Sequence, residues 1–396
     1  MPGSTAPPCM SSRCRRRSRP GRDRQGVRIV ERAARSRDEN PPDRLGERQQ
    51  GLGLTRREVL RAAAAGGVLV GAGLLGSCGS RRVAPAGPTP GEPHPDPLRR
   101  DGVVVVVRSD AVMGPQRRVD PHLVSEMVAT GIARLAEAPT PREAWLRFYA
   151  KSDVVGLKVN CLGAPATHTH LEVALAAASG LQDAGVPASS IIIFDRLTDE
   201  LARAGFPVNT GEGLRCYGSD VAGYDTEPIV AGEVGSCFSR IVSQQCTSLL
   251  NLPLLKDHDL AGVSASLKNH FGCINNPNKL HIGHCNPHAA DLNLAPPLRG
   301  KQRLIVCDAL EVIYDGGPTY SPGTTANYGG LLIGTDPVAV DRVGWRIIED
   351  LRAAAGLPSL ADDGRKPAYI ETAGEAARGL GVADLSRIQI IEVAVG

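Results

Sequence analysis

Between Leu252 and His288 the chain reads LPLLKDHDLAGVSASLKNHFGCINNPNKLHIGHCNPH. Five of its nine histidines fall there: His258, His270, His281, His284 and His288. So do Lys256, Lys268 and Lys279, although only seven of the 45 Lys and Arg residues are lysine. An ammonium is a compact point charge, whereas a guanidinium is a planar fork. Lysines kept beside histidines suit the binding of an anion. Once desolvated, they serve as a base or an amine nucleophile. On this ground Lys158, Lys256, His258, Lys268 and Asp308 are the candidate catalytic residues. His281, His284, Cys285 and His288 span eight residues and offer imidazole and thiolate donors, a ligand set for a zinc or iron ion. Their H-x-x-H-C-x-x-H order matches no standard finger or metalloprotease signature. Hydrogen bonds that shape the loop, or contact with a substrate, account for these residues equally well.

The elements that must position these residues read as an α/β pattern. Continuous apolar runs predict strands at Val103–Ser109, Val154–Asn160, Ser190–Asp195, Arg303–Leu310, Gly330–Asp336 and Arg387–Val395, with another near TSLLNLP. Helical spacing marks Pro121–Ala138, His170–Ala184 and Pro337–Ala355. The expected fold is a mostly parallel sheet covered by helices, with loop-rich insertions. In such sheets, sites form beyond the carboxyl ends of the strands. Lys158, Asn160, Asp195, Asp308 and Asp336 all stand at such ends, and Lys256 and His258 follow LLNLPLL. Asn160, Asn269, His270, Gly317 and Asp336 are therefore the candidate substrate-binding residues. A strand-end acid is also a common helix cap, and Asp336 before Pro337 has that pattern. Gly317 lies in the turn DGGPTYSPG, which either brings backbone to a ligand or simply turns the chain. The stretch after Phe271 has no period and reads as a surface loop. No G-x-G-x-x-G follows a strand, and no G-x-x-x-x-G-K-[ST] loop or G-x-S-x-G elbow occurs, so neither a dinucleotide fold, an NTPase nor an α/β-hydrolase site is supported.

The net charge of +3 hides two unlike parts. Residues 1–61 carry sixteen Arg and seven acids, a net of +9, so the remainder sums to −6. A body of that sign argues against sequence-independent nucleic-acid binding. The basic head has another reading. Arg56 and Arg57 precede sixteen uncharged residues, too few to span a bilayer core of ~30 Å. This is the pattern of an export signal, and the Arg pair resembles a twin-arginine signal. LLGSC ends the run as a lipobox does, which makes Cys78 the expected lipidation site; ordinary cleavage after Ala84 or Ala86 is the alternative. The expected organisation is a disordered basic extension at 1–54, which a misassigned start would also explain, a signal at 55–78, a proline-rich tether at 79–100 and one domain at 101–396. The protein would be exported by the twin-arginine machinery, in the periplasm or on the outer face of the cell membrane, held by a lipid anchor. The body's seven cysteines, odd in number and without C-x-x-C, argue against a disulfide framework.

Four blocks, GLKVN (156–160), LPLLKDHDLAGVSASLKNHFGCI (252–274), CDALEVIYDGGP (307–318) and GTDPVAVDRVG (334–344), resemble the Domain of Unknown Function 362 family, in particular its exported members. The resemblance implies an α/β fold and no assigned reaction. Some members carry ferredoxin-like iron–sulfur domains, which this chain lacks. The leading expectation is a metal- or cofactor-dependent enzyme acting on a small anionic or carbonyl-bearing molecule. One alternative is a non-catalytic metal- or anion-binding protein. Another is a redox accessory holding an iron–sulfur centre through Cys161, Cys273, Cys285 and Cys307.

Overall fold

The protein is described by a computed structural model covering residues 96–320 and 323–396. The expected export signal and Cys78 lie outside the described residues. Ten strands form one sheet. In chain order its members are β1 (Val103–Arg108), β2 (Val155–Lys158), β3 (Ile191–Phe194), β4 (Arg215–Cys216), then β7 (Ser248–Asn251), β8 (Leu254–His258), β9 (Gly262–Ser264), β10 (Gln302–Ile313), β11 (Thr325–Gly334) and β12 (Gln389–Ala394). A separate hairpin, β5 (Ile229–Ala231) with β6 (Val234–Ser236), stands apart from it. The order across the sheet is β12-β1-β11-β10-β7-β2-β3-β4. Pairings from β10 through β7, β2 and β3 to β4 are parallel, whereas β11 runs antiparallel to both β1 and β10. The expected mostly parallel α/β sheet is thus what forms.

Both faces of the sheet are covered, which is why its strands read as unbroken apolar runs rather than alternating ones. Val104 and Val106 of β1 enter one core with Ile305, Leu332, Val340 and Ile347. Val105 and Val107 enter the other with Met127, Ile132, Val173 and Leu181. Helices α1 (Pro121–Ala136) and α2 (Leu171–Asp183) cover that second face, and α3 (Pro337–Ala354) covers the first. Asp120 caps α1 and Asp336 caps α3, each followed by proline at the first helical position, the arrangement that satisfies free amides at a helix start.

The chain changes lateral position at one place that matters for the site. β7 pairs with the first half of β10 and β8 with its second half, both in parallel. Between them Leu252 and Pro253 step the chain forward past the end of β2. Lys256 and His258 are thereby carried to the same edge as Lys158, the last residue of β2. β8 then folds back into β9, and a one-turn helix, Ser266–Asn269, delivers Lys268 and Asn269 to that edge. Ser266 and Leu267 donate their amides to Asp341 Oδ1 and Oδ2 of α3, at 2.6 and 3.1 Å, which fixes this turn on the helix behind it. The loop expected after Phe271 is built of short turns, His270–Cys273 and Pro277–Cys285, followed by the helix His288–Leu292. Among the described residues no helix is long and apolar enough to cross a membrane.

Candidate functional site

A cavity of about 80 Å³ opens at this edge, walled by Lys158, Asn160, Asp195, Lys256, His258, Lys268, Asn269 and His281. Leu162, Phe271, Pro277 and Pro318 supply apolar surface, and Arg196, bonded to Glu200, stands among the lining residues. Six residues expected from the sequence as catalytic or substrate-binding (Lys158, Asn160, Lys256, His258, Lys268 and Asn269) do meet here, together with His281.

The three lysines differ in their partners. Lys158 Nζ lies 2.7 Å from Asp195 Oδ1 and also donates to the Val159 carbonyl at 2.6 Å and Asn269 Oδ1 at 3.2 Å. It is a buried cation whose counter-charge is supplied by the protein. Asp195 Oδ2 accepts the Cys161 amide at 2.6 Å, which holds the carboxylate in place. Gly272 fits over this pair because it has no side chain: a Cβ there would sit 2.7 Å from Asp195 Oδ1 and 2.8 Å from Lys158 Nζ.

Lys256 is held differently. Asn269 donates to Asn251 Oδ1 and the Lys158 carbonyl, so its own Oδ1 is left to accept from Lys158 and from Asn160 Nδ2. With its amide nitrogen thus committed, Asn160 presents Oδ1 to Lys256 Nζ at 2.9 Å. That is the one hydrogen bond the Lys256 ammonium makes among the described residues. Among the described residues, no carboxylate lies within ion-pairing distance of Lys256 or of Lys268. Burial, followed by the Lys268 charge, lowers the Lys256 ammonium to about 8. Burial likewise lowers Lys268 to about 8.

Lys268 Nζ stands between two imidazoles, 2.9 Å from His258 Nε2 and 3.1 Å from His281 Nε2. The two rings stack with centroids 5.5 Å apart, and the Phe271 ring lies 4.8 Å from the ammonium position. Burial, then the charges of Lys268 and His281, push His258 down to about 2, so this ring is neutral at physiological pH.

Behind β8, Asp257 points the opposite way from Lys256 and His258. It accepts the Gly317 amide at 3.0 Å and Arg365 Nη1 at 2.7 Å. Burial outweighs Arg365 and raises this carboxyl to about 6. Arg365 also bonds Asp363 and Asp315, and Arg352 bonds both of those acids again. This network clamps the Asp315–Pro318 turn against β8, with Pro318 reaching the cavity wall. Gly317 is required by close approach: a Cβ would meet the Asp257 carbonyl at 2.0 Å.

Other expected residues lie elsewhere. Asp308 is fully buried and accepts the His170 amide at 2.7 Å, His170 Nδ1 at 2.8 Å and the Leu310 amide at 3.0 Å. Burial alone would raise its pKa, but His170 outweighs that and holds it below the usual carboxylate value. It does not line the lysine cavity. Asp336 spends its oxygens on the amides of Val338, Ala339, Gly102 and Val382; it ties the α3 start to two loops and reaches no cavity with the lysines. His270 turns away from the lysines, bonds Asn293 Oδ1 at 2.7 Å and lines a separate cavity of about 30 Å³ with Arg99 and Arg299. Gly317 stands behind the wall rather than on it.

The four residues expected to hold a metal point in different directions. His281 faces Lys268. His284 Nδ1 bonds the Leu260 carbonyl and His288 Nδ1 that of Ile282. Cys285 is buried, and burial raises its thiol pKa. His284 and Cys285 both adopt left-handed backbone, at φ 59° and 64°, which swings successive side chains apart. Among the described residues, no group of three or more His, Cys, Asp or Glu is placed to hold a metal ion. The same holds for the cysteines of the iron–sulfur alternative, Cys161, Cys273, Cys285 and Cys307, all buried free thiols.

Sequence reasoning placed Asp195 at a strand end without giving it a role, and assigned no site role to Gly272, Phe271, Asn251 or Arg365. Asp195 carried a usable signal, since it ends a predicted strand beside Lys158. Arg365, one arginine among many and distant in sequence, carried none.

Residues 155–346 match the model of a family described as Domain of unknown function (DUF362), which supports the resemblance drawn from the four blocks. No curated protein matches the chain. Among solved structures, the crystal structure of a protein from Thermotoga maritima is similar at a TM-score of 0.35 and 11% identity, over 60% of either chain. The chain thus spans 60% of the length of that structure.

Proposed function

We propose that the lysine cavity is the working site of an enzyme that takes up a small anionic or carbonyl-bearing molecule and acts on it by acid–base or amine chemistry. One observation carries this reading. Lys256 and Lys268 are buried on a cavity wall with no carboxylate partner among the described residues, while Lys158 beside them has Asp195. A buried charge is normally paired, because desolvation without compensation is costly. Two uncompensated ammonium groups around one cavity are the complement of an anion, and a bound anion would supply the missing counter-charge. The small cavity suits a small ligand, and Leu162, Phe271 and Pro318 suit a short apolar part.

The test is calorimetric titration of the full chain with short carboxylates and with inorganic phosphate, repeated on Lys256→Gln. Hydrogen bonds to charged groups contribute about 1.5–3 kcal/mol, so K256Q should weaken binding by about 10- to 150-fold. Equal affinity in wild type and variant, or no binding of any anion tried, overturns the reading.

From the sequence alone we further propose export through the twin-arginine machinery and anchoring by a lipid on Cys78. Incorporation of a fatty-acid probe, lost in Cys78→Ala, is the corresponding readout.

A further inference from the structure

We propose that Lys268 is an amine nucleophile that condenses with the carbonyl carbon of a short 2-oxo acid, whose carboxylate is held by Lys256. The inference rests on the cavity being an anion site and adds the covalent step and the substrate class.

The polarity of the hydrogen bonds around Lys268 carries it. His258 Nδ1 receives the backbone amides of Leu260 and Ala261 at 3.2 and 3.3 Å. Amides only donate, so this nitrogen is the acceptor, and in a neutral ring the proton sits on Nε2. Asp259 Oδ1 also lies 2.9 Å from Nδ1, but off the line of a ring N–H, and it accepts the Leu260 amide itself. His258 Nε2–H therefore points at Lys268 Nζ. On the other side, His281 Nδ1 faces the Asn278 carbonyl at 3.2 Å. A carbonyl only accepts, so His281 carries its proton on Nδ1 and turns a bare Nε2 towards Lys268. In the amine form the lysine nitrogen accepts from one imidazole and donates to the other, so this setting favours loss of the ammonium proton. An amine does both, whereas an ammonium has no lone pair to accept with.

The step balances without any further reagent. The Nζ lone pair forms a bond to the carbonyl carbon as the C–O π bond breaks. One Nζ proton passes to His281 Nε2 and on to the carbonyl oxygen, giving a carbinolamine. The second Nζ proton leaves with that oxygen as water, and a C=N bond remains. Amine plus ketone thus gives imine plus water. Lys256, bonded only to Asn160, keeps donors free for the substrate carboxylate. Phe271 and Leu162 offer the short alkyl end an apolar wall.

The test incubates the full chain with pyruvate at pH 7, adds borohydride, and maps the alkylated lysine by peptide mass spectrometry. A lysine titrating near 8 is about one-tenth amine at pH 7, against about one part in 3,000 for an ordinary lysine. Labelling should therefore fall on Lys268, about 300-fold above surface lysines by the same amine fractions, and vanish in Lys268→Arg. Lactate, which has no ketone, is titrated in parallel. If lactate or pyruvate binds but no adduct forms at Lys268, the imine is overturned and the anion site stands. If neither binds and nothing is trapped, both fall. Trapping at Lys158 or Lys256 instead also overturns the assignment. Should K268R fail to fold, the wild-type peptide map alone decides.

Discussion

Lys256→Met should make the ligand-free protein more stable, and the size of the effect follows from the site. Lys256 is fully buried, and its pKa falls from 10.5 to about 8. The folded state therefore holds this proton less tightly than the unfolded chain does. At 1.36 kcal/mol per pH unit, that gap costs the folded state about 3 kcal/mol at pH 7. The sign is that of a depressed lysine: the penalty is full below pH 8 and fades as pH climbs from 8 towards 10.5. Methionine is unbranched and one atom shorter than lysine, and it removes the charge. It also removes the donor to Asn160 Oδ1, a loss of about 1 kcal/mol. The net expectation is a gain of about 2 kcal/mol at pH 7. At pH 9.5 the lysine penalty has shrunk to about 1 kcal/mol by the same linkage, so wild type and variant should be nearly equal. Urea denaturation followed by circular dichroism at the two pH values measures both differences. A variant less stable than wild type at pH 7, or a difference that does not change with pH, refutes the reasoning. A stabilising variant that also loses anion binding is the usual signature of a charge retained for function at the expense of stability.

Two further perturbations separate the parts of the site. Asp195→Asn should behave oppositely to K256M, because it strips Lys158 of the partner 2.7 Å away and leaves a buried charge unpaired; denaturation at pH 7 should show a loss of about 3–5 kcal/mol. Gly317→Ala drives a Cβ to within 2.0 Å of the Asp257 carbonyl, so the turn must move away from β8. We expect a loss of about 1–3 kcal/mol from the overpacking, together with weaker anion binding through the displaced Pro318 wall, and unchanged stability with unchanged affinity would show that the turn is not clamped.

How much of this was legible in the sequence depends on which force fixed each feature. The sheet was legible because strands covered on both faces must be apolar throughout, and Val103–Val107 or Ile191–Phe194 leave no other reading. The convergence of Lys158, Asn160, Lys256 and His258 was legible for a topological reason: neighbouring parallel strands end at one edge, so polar residues after apolar runs collect there. Asp336 shows the limit of that rule. It too ends a strand, yet its neighbour Pro337 starts a helix, and four backbone amides consume its carboxylate. Asp308 follows the same logic, with His170 as the partner, and nothing local in the sequence announces a contact across 138 positions. The irregular stretch after Phe271 was legible as a loop, but not the directions of its His and Cys donors. Its short turns have no 3.6-residue period, and the left-handed backbone at His284 and Cys285 scatters donors that look adjacent in the sequence.

The scarcity of lysine was the most informative compositional fact, and the structure gives it a physical meaning. Seven lysines exist in the chain, and three of them wall one small cavity. Arginine would have preserved the charge at any of the three. It would not have preserved the chemistry, because a guanidinium does not lose its proton in a protein and offers no amine lone pair. At Lys158, a charged donor to Asp195, Val159 and Asn269, that distinction is idle, and Lys158→Arg would fail through bulk. At Lys268, set between two imidazoles, the proposed imine chemistry depends on that distinction. A chain that otherwise favours arginine and keeps lysine here is keeping a nitrogen that can be neutral.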